Sequence, residues 1–230
     1  MTMSMTSKKA YAVGMGPFPD GVYRAQFPYY YRNPEGMPQE AALDYYLNSI
    51  KDVFEQCGPA DSIAAIVVEP LQGEGGFIPA PIEWVKAVRK ICDENGILLV
   101  ADEVQTGFCR TGRMFATQYW EEAGVQPDIL ATAKSIAAAL KTIEIMERDD
   151  LAGCSCEIGE KVSKRFNEWK EKYPVIGDVR GLGGMIGLEF VKDQKSKEPY
   201  PEFSAAVISG CAKKGLMIEG CLLYTSPSPR

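Results

Sequence analysis

Two short apolar runs constrain this 230-residue chain more than any other feature: ILLVA at Ile97–Ala101 and ILATA at Ile129–Ala133. Each has strand length, and each is predominantly apolar rather than alternating, Thr132 being the one polar residue, the pattern of a strand buried on both faces of a parallel sheet. Each also ends by delivering a charged side chain, Asp102 after the first run and Lys134 after the second. In an open parallel α/β sheet the ligand crevice lies at the carboxyl ends of the strands. A carboxylate and an ammonium are thereby expected where one small organic molecule would be gripped at both ends.

The flanking sequence supplies the rest of such a sheet. Pro38–Cys57 has helical apolar spacing, and IAAIVV at Ile63–Val68 reads as another buried strand closed by Glu69-Pro70. LQGEGGF at Leu71–Phe77 is a glycine-rich turn that carries Glu74. Pro81 suits the first turn of a helix running to Asn95, with Gly96 at its C′ position. Met114–Ala123 is expected to be helical and Asp128–Ala133 to be a strand. Strand, helix, strand, helix, strand at this spacing means right-handed βαβ units. Beyond Ser135, helical patterns cover Ser135–Leu151 and about Ile158–Tyr173. VIGDVRGLGGMIGLEFV (Val175–Val191) reads as two strands with a glycine-rich bend, Phe203–Lys214 as a helix, and Leu216–Ile218 as a short strand. The stretch FPYYYRNP (Phe27–Pro34) is expected to be a loop packed onto the core. The fold class is therefore α/β, a mostly parallel sheet domain followed by a small α+β domain.

Composition removes several classes of function. The formal charge of −6 and pI near 5.0 argue against a nucleic-acid or anionic-membrane surface. No apolar run has bilayer length and the N-terminus has no secretory h-region, so a cytoplasmic protein is expected. Seven scattered cysteines, an odd number, fit free thiols in a reducing compartment. With no histidine at all, every His-based triad and His-ligated zinc site is excluded. Cys154 and Cys156 lack a second thiolate pair and read as helix residues, so no metal site is expected. GLGGMIG (Gly181–Gly187) has neither the spacing nor the helix opening of a dinucleotide fingerprint, and close backbone packing in a strand is the better account.

Taken singly, an Asp after a strand is commonly a cap and a Lys is commonly a solvated surface residue. Together at neighbouring strand ends they suit pyridoxal 5′-phosphate (PLP) chemistry. A lysine amine forms a Schiff base with the cofactor aldehyde, and a carboxylate keeps the pyridine nitrogen protonated. Three motifs carry a specific likeness: EPLQGEGGF (Glu69–Phe77), LLVADEVQTGFCRTG (Leu98–Gly112) and PDILATAKS (Pro127–Ser135). With VRGLGGMIGLEF (Val179–Phe190), they make most of Ser4–Gly220 resemble class III PLP-dependent aminotransferases, nearest to the 4-aminobutyrate branch.

The resemblance implies fold type I architecture, with an incomplete large PLP-binding domain over residues 1–150 and an incomplete small C-terminal domain over 151–220. It implies Lys134 as the Schiff-base lysine and proton carrier, Asp102 as partner of the pyridinium nitrogen, Val104 against one ring face and Gln105 near the phenolic oxygen. Glu74 matches a family glutamate that pairs with a substrate-facing arginine, and Glu69 would support it. The reaction implied moves an amino group from an ω-amino acid, 4-aminobutyrate favoured, to 2-oxoglutarate within a homodimer. Acetylornithine, 5-aminovalerate or a β-amino acid are the alternative donors, and a catalytically incompetent fragment is the alternative for the chain as it stands.

Departures from the family accompany the match. The phosphate-binding loop and the aromatic that stacks on the cofactor have no counterpart in the chain, so the 230 residues alone are expected to bind PLP poorly and to transaminate negligibly. After AKSIAA (Ala133–Ala138) the sequence passes straight to ALKTIEIMERDD (Ala139–Asp150), as if a block were missing near Ala137–Ala139. Cys109 stands where the family commonly has glycine, which bears on the backbone geometry there. CLLYTSPSPR (Cys221–Arg230) resembles the translation of a sequencing-library adapter, so residues 221–230 are expected to be foreign to the fold.

Overall fold

The computed structural model describes residues 2–6, 13–132 and 136–220. A short helix α1 (Thr2–Met5) and an irregular segment precede α2 (Gln39–Gln56). Pro38 stands at the N-cap of α2 with extended backbone, where its missing N–H costs nothing. Strand β1 (Ala65–Val68) follows, then a small antiparallel pair, β2 (Leu71–Gln72) and β3 (Ile78–Pro79). Helix α3 (Ile82–Asn95) ends at Gly96, whose φ of 67° is the left-handed C-terminal stop expected from the sequence. Pro81 precedes that helix as its N-cap rather than lying in its first turn.

Strand β4 (Leu98–Asp102) and strand β5 (Ile129–Ala131) complete a three-stranded parallel sheet in the order β1-β4-β5. The register pairs Val68 with Ala101 and Asp102 with Ala131, so the carboxyl ends of all three strands emerge on one edge. One sheet face is covered: Val68, Leu99 and Ala101 pack with Tyr46 and Ile50 of α2 and with Trp84, Val85, Val88 and Cys92 of α3. On the other face Val67, Leu98 and Ile129 are exposed. Side chains alternate along a strand, so Asp102 shares this open face with Leu98 and Val100.

The expected Met114–Ala123 helix is not formed as such. Only α4 (Gln118–Glu121) is helical there, and in the turns before it Phe115 N and Thr117 N donate to the Gln118 and Glu103 side chains. Helix α5 (Ile136–Arg148) stops before Asp150, which caps α6 (Leu151–Lys172) by accepting from Gly153 N. The second long helix thus begins seven residues earlier than its apolar spacing suggests, and Cys154 and Cys156 lie within it. Strands β6 (Ile176–Leu182) and β7 (Met185–Phe190) form the expected antiparallel hairpin, followed by α7 (Pro201–Lys213). Leu216–Ile218 are exposed and irregular rather than a strand, having no neighbouring strand to pair with among the described residues. No described helix is long and apolar enough to cross a membrane. The tail at residues 221–230 and Lys134 lie outside the described residues.

Candidate active site

The carboxyl edge of the sheet gathers the acids that the sequence singles out. Glu69 follows the last residue of β1, and Asp102 is the last residue of β4. Lys134 lies three residues past the end of β5 and outside the described residues, so its contacts form no part of this geometry. The β2–β3 turn folds over the same edge: Gly73 N donates to Glu69 Oε2 at 2.9 Å. The Gln105 carboxamide lies where a Cβ at Gly73 would be, so a side chain there would displace the Gln105 amide. Glu69, Glu74, Asp102 and Gln105 are thereby brought into one locality. Burial raises the Glu69 carboxyl above its ordinary range; the Gly73 N–H opposes this, while the charges of Asp102 and Glu74 reinforce it.

Asp102 is held by its own neighbour, its Oδ1 accepting from Val104 N at 3.0 Å. Its Oδ2 has no protein donor among the described residues. Val104 is 48% exposed, an apolar side chain offered to the open side of the sheet edge. Gln105 Oε1 is buried and has no hydrogen-bond partner among the described residues. A buried acceptor without a donor costs about 1–3 kcal/mol, and where one occurs a ligand or water is the usual reason.

Glu103 and its partners carry no mark in the sequence beyond a glutamate three residues before a threonine. The Glu103 side chain is fully buried, and it accepts from Thr106 Oγ1 at 2.5 Å and from Thr117 N at 2.7 Å. Residues Phe108 and Cys109 both take left-handed backbone, with φ of 63° and 69°. The cysteine thus occupies a conformation that glycine adopts with less strain. A second set lies beneath the β2–β3 turn. Arg180 Nε donates to Gly76 O at 2.8 Å, and Arg180 also pairs with Asp178 and with the fully buried Glu189, at 3.1 and 2.8 Å. Arg32 pairs with Glu189 from the other side, and Tyr29 donates to both acids. FPYYYRNP is therefore packed inward as expected, with Phe27 and Tyr30 against the core.

An open parallel sheet with acids and a carboxamide at its carboxyl edge defines an α/β protein of the kind that binds a small organic ligand at strand ends. The sequence model described as "Aminotransferase class-III" matches residues 1–140 and 135–226, and the chain belongs to that family. The chain is 38% identical to a probable 4-aminobutyrate aminotransferase of Bacillus subtilis, over 95% of this chain and 58% of that protein. It is 37% identical to a 5-aminovalerate aminotransferase of Pseudomonas putida, over 97% of this chain and 59% of that protein. Its fold matches an amine transaminase from an uncultivated Pseudomonas species, solved in a PLP-bound form, with TM-score 0.83 and 29% identity over 94% of this chain and 59% of that one.

The chain thus spans well under two thirds of the length of these relatives. Both sequence alignments also run longer than the chain itself, 254 and 260 residues against 230. Each relative therefore holds residues inside the matched span that are lacking here. The two stretches matched by the family model meet between residues 135 and 140, where α5 begins.

Proposed function

We propose that this chain contributes the cofactor-facing strand ends of a PLP-dependent aminotransferase whose amino donor is an ω-amino acid, with 4-aminobutyrate favoured and 2-oxoglutarate as acceptor. The observation that carries the reading is the buried, partnerless Gln105 Oε1 on the turn that follows Asp102, both on the ligand edge of the parallel sheet. These residues fit PLP: a carboxylate oxygen open to a ring nitrogen, an apolar side chain for a ring face and an amide with an unmet acceptor. The names of relatives at 37–38% identity support the donor class.

When bound, PLP supplies an aldehyde that condenses with amines and a ring that draws electrons from the attached carbon. Lys134 supplies the amine that holds it. With a substrate amine in that place, the freed Lys134 amine would take the proton from the amine-bearing carbon and deliver it to the cofactor's former aldehyde carbon, the shift that transfers the amino group. Asp102 favours the protonated ring nitrogen by opposite charge, and its orientation is fixed by the Val104 N–H. Val104 would pack on the ring face, and Gln105 would hydrogen-bond near the phenolic oxygen. Glu74, with Glu69 behind it, pairs with a substrate-facing arginine, so that one site accepts both an ω-amino acid and a dicarboxylate. The whole enzyme works as a homodimer.

A polypeptide of family length that carries residues 1–220 tests the reading by glutamate formation from 2-oxoglutarate. The expected order has 4-aminobutyrate giving the highest kcat/KM among 4-aminobutyrate, 5-aminovalerate, acetylornithine and β-alanine. A preference for another of these donors overturns the substrate assignment, and no glutamate from any ω-amino acid overturns the reading itself.

A further inference from the structure

Two carboxylates are fully buried among the described residues, and they are solvated by the protein in opposite ways. Glu189 faces two guanidiniums, those of Arg32 and Arg180. Glu103 has no cation among its described partners. Its donors are a hydroxyl, Thr106 Oγ1, and a backbone amide, Thr117 N. An ionisable group buried on neutral donors alone is costly, and an apolar side chain of the same size would pack at lower cost. The arrangement calls for a reason other than stability.

The bonds of residue 103 supply one. Its N–H donates to Ala131 O at 2.9 Å, which ties the end of β4 to the end of β5. Its carbonyl accepts from Gly107 N at 3.0 Å, closing the turn through Val104 and Gln105. That turn is tight enough that a Cβ at position 107 would lie 2.9 Å from the same carbonyl. Its carboxylate then ties this turn, through Thr106, to Thr117 at the far end of the loop. Asp102 Oδ1 in its turn depends on the Val104 N–H for its orientation. Residue 103 is thus the one point joined to both strand ends, to the turn and to the returning loop.

We propose that Glu103 is a positioning residue: its buried carboxylate fixes the Val104–Gly107 turn, and through it sets where Asp102 and Gln105 present their polar atoms to the cofactor. The cofactor part rests on the function proposed above. The fixed turn stands independently of it.

The two are separated by using Glu103→Gln, Glu103→Ala and Thr106→Val in the 230-residue chain. Glutamine can still accept from Thr117 N and can donate to Thr106 Oγ1, so it removes the charge and keeps both bonds. Hydrogen exchange of the Val104–Gly107 amides is read without cofactor in that chain, and PLP affinity and the absorbance of the bound cofactor are read by titration of the same variants in a polypeptide of family length that carries residues 1–220. Glu103→Ala and Thr106→Val are expected to speed exchange in the turn at least tenfold while Leu99–Ala101 stay protected. PLP affinity is expected to fall about tenfold or more, as when an outer partner of a bound group is lost. Glu103→Gln is expected to restore both readouts to near those of the unaltered chain. Unchanged exchange and affinity in Thr106→Val overturn the proposal, and so does a Glu103→Gln variant as impaired as Glu103→Ala, because charge rather than positioning would then be at work. A family-length polypeptide that takes no PLP at all contradicts the proposed function and leaves the exchange result to decide the role of Glu103.

Discussion

Burial raises the Glu69 carboxyl above its ordinary range, the Gly73 N–H partly offsets that, and the charges of Asp102 and Glu74 add to it. The folded chain therefore holds this proton more tightly than the unfolded chain. Below the unfolded value of about 4.3 both states carry the proton, and the group leaves stability unaltered. As pH rises from there through the raised folded value, the native state binds more protons than the unfolded state, and stability falls. Glu69→Gln keeps an acceptor for Gly73 N and has no proton to lose. Melting measured between pH 4 and 7.5 is expected to show the variant gaining on the unaltered chain across that window, then running parallel to it. A difference that does not change with pH contradicts the assignment. Glu69 and Asp102 were legible as residues because each ends an apolar run. Glu103 was not, since in ADEVQTG nothing but the fold says which acid turns inward.

Hairpin β6–β7 is tied to the N-terminal segment by a buried cluster: Glu189 between Arg32 and Arg180, with Tyr29 donating to it and the Arg180 guanidinium 4.7 Å from the Tyr29 ring centre. The partners lie about 150 residues apart in sequence, and the same Arg180 supports the turn that bears Glu74. Glu189→Ala leaves two guanidiniums facing each other in a buried site. Removing one partner of a buried pair costs about 3–5 kcal/mol. Urea unfolding is expected to register a loss of that size, and a loss below about 1 kcal/mol would mean that the cluster is solvated in solution. Elements were legible where a local signal exists: apolar runs for β1, β4 and β5, Pro38 and Gly96 for helix ends, glycines for the hairpin bend. The loop from Glu103 to Thr117 has no period, because side chains rather than a repeating ladder hold it. The read of Met114–Ala123 as a full helix failed for that reason. The early start of α6 was hidden in a stretch of small residues that its capping Asp150 decides.

At the scale of the whole molecule, the three-stranded parallel sheet is sheathed on one face and open on the other among the described residues, with Val67, Leu98 and Ile129 exposed beside Asp102. Parallel sheets in folded α/β domains are covered on both faces. The relatives, with the residues this chain lacks, are correspondingly longer. The family and the parallel sheet were legible in the strand-end motifs, which hold their spacing regardless of what surrounds them. The open face was not, because a buried-strand pattern states that both faces are covered without saying by which residues. The break near Ala137–Ala139 was invisible to periodicity as well, since the joined helix is locally sound; it was legible only through the likeness to the family, whose model matches the chain in two stretches that overlap there.

Asp102 and Lys134 as the two poles of one cofactor site form the central claim, and reductive trapping tests it most directly. A polypeptide of family length that carries residues 1–220 is incubated with PLP, reduced with borohydride, digested and mapped by mass. The account predicts that the pyridoxyl group concentrates on the peptide containing Lys134 above every other lysine, and that Asp102→Asn lowers that labelling while leaving the surface lysines unchanged. Labelling spread over lysines according to their exposure, with Lys134 no more modified than the rest, would contradict it.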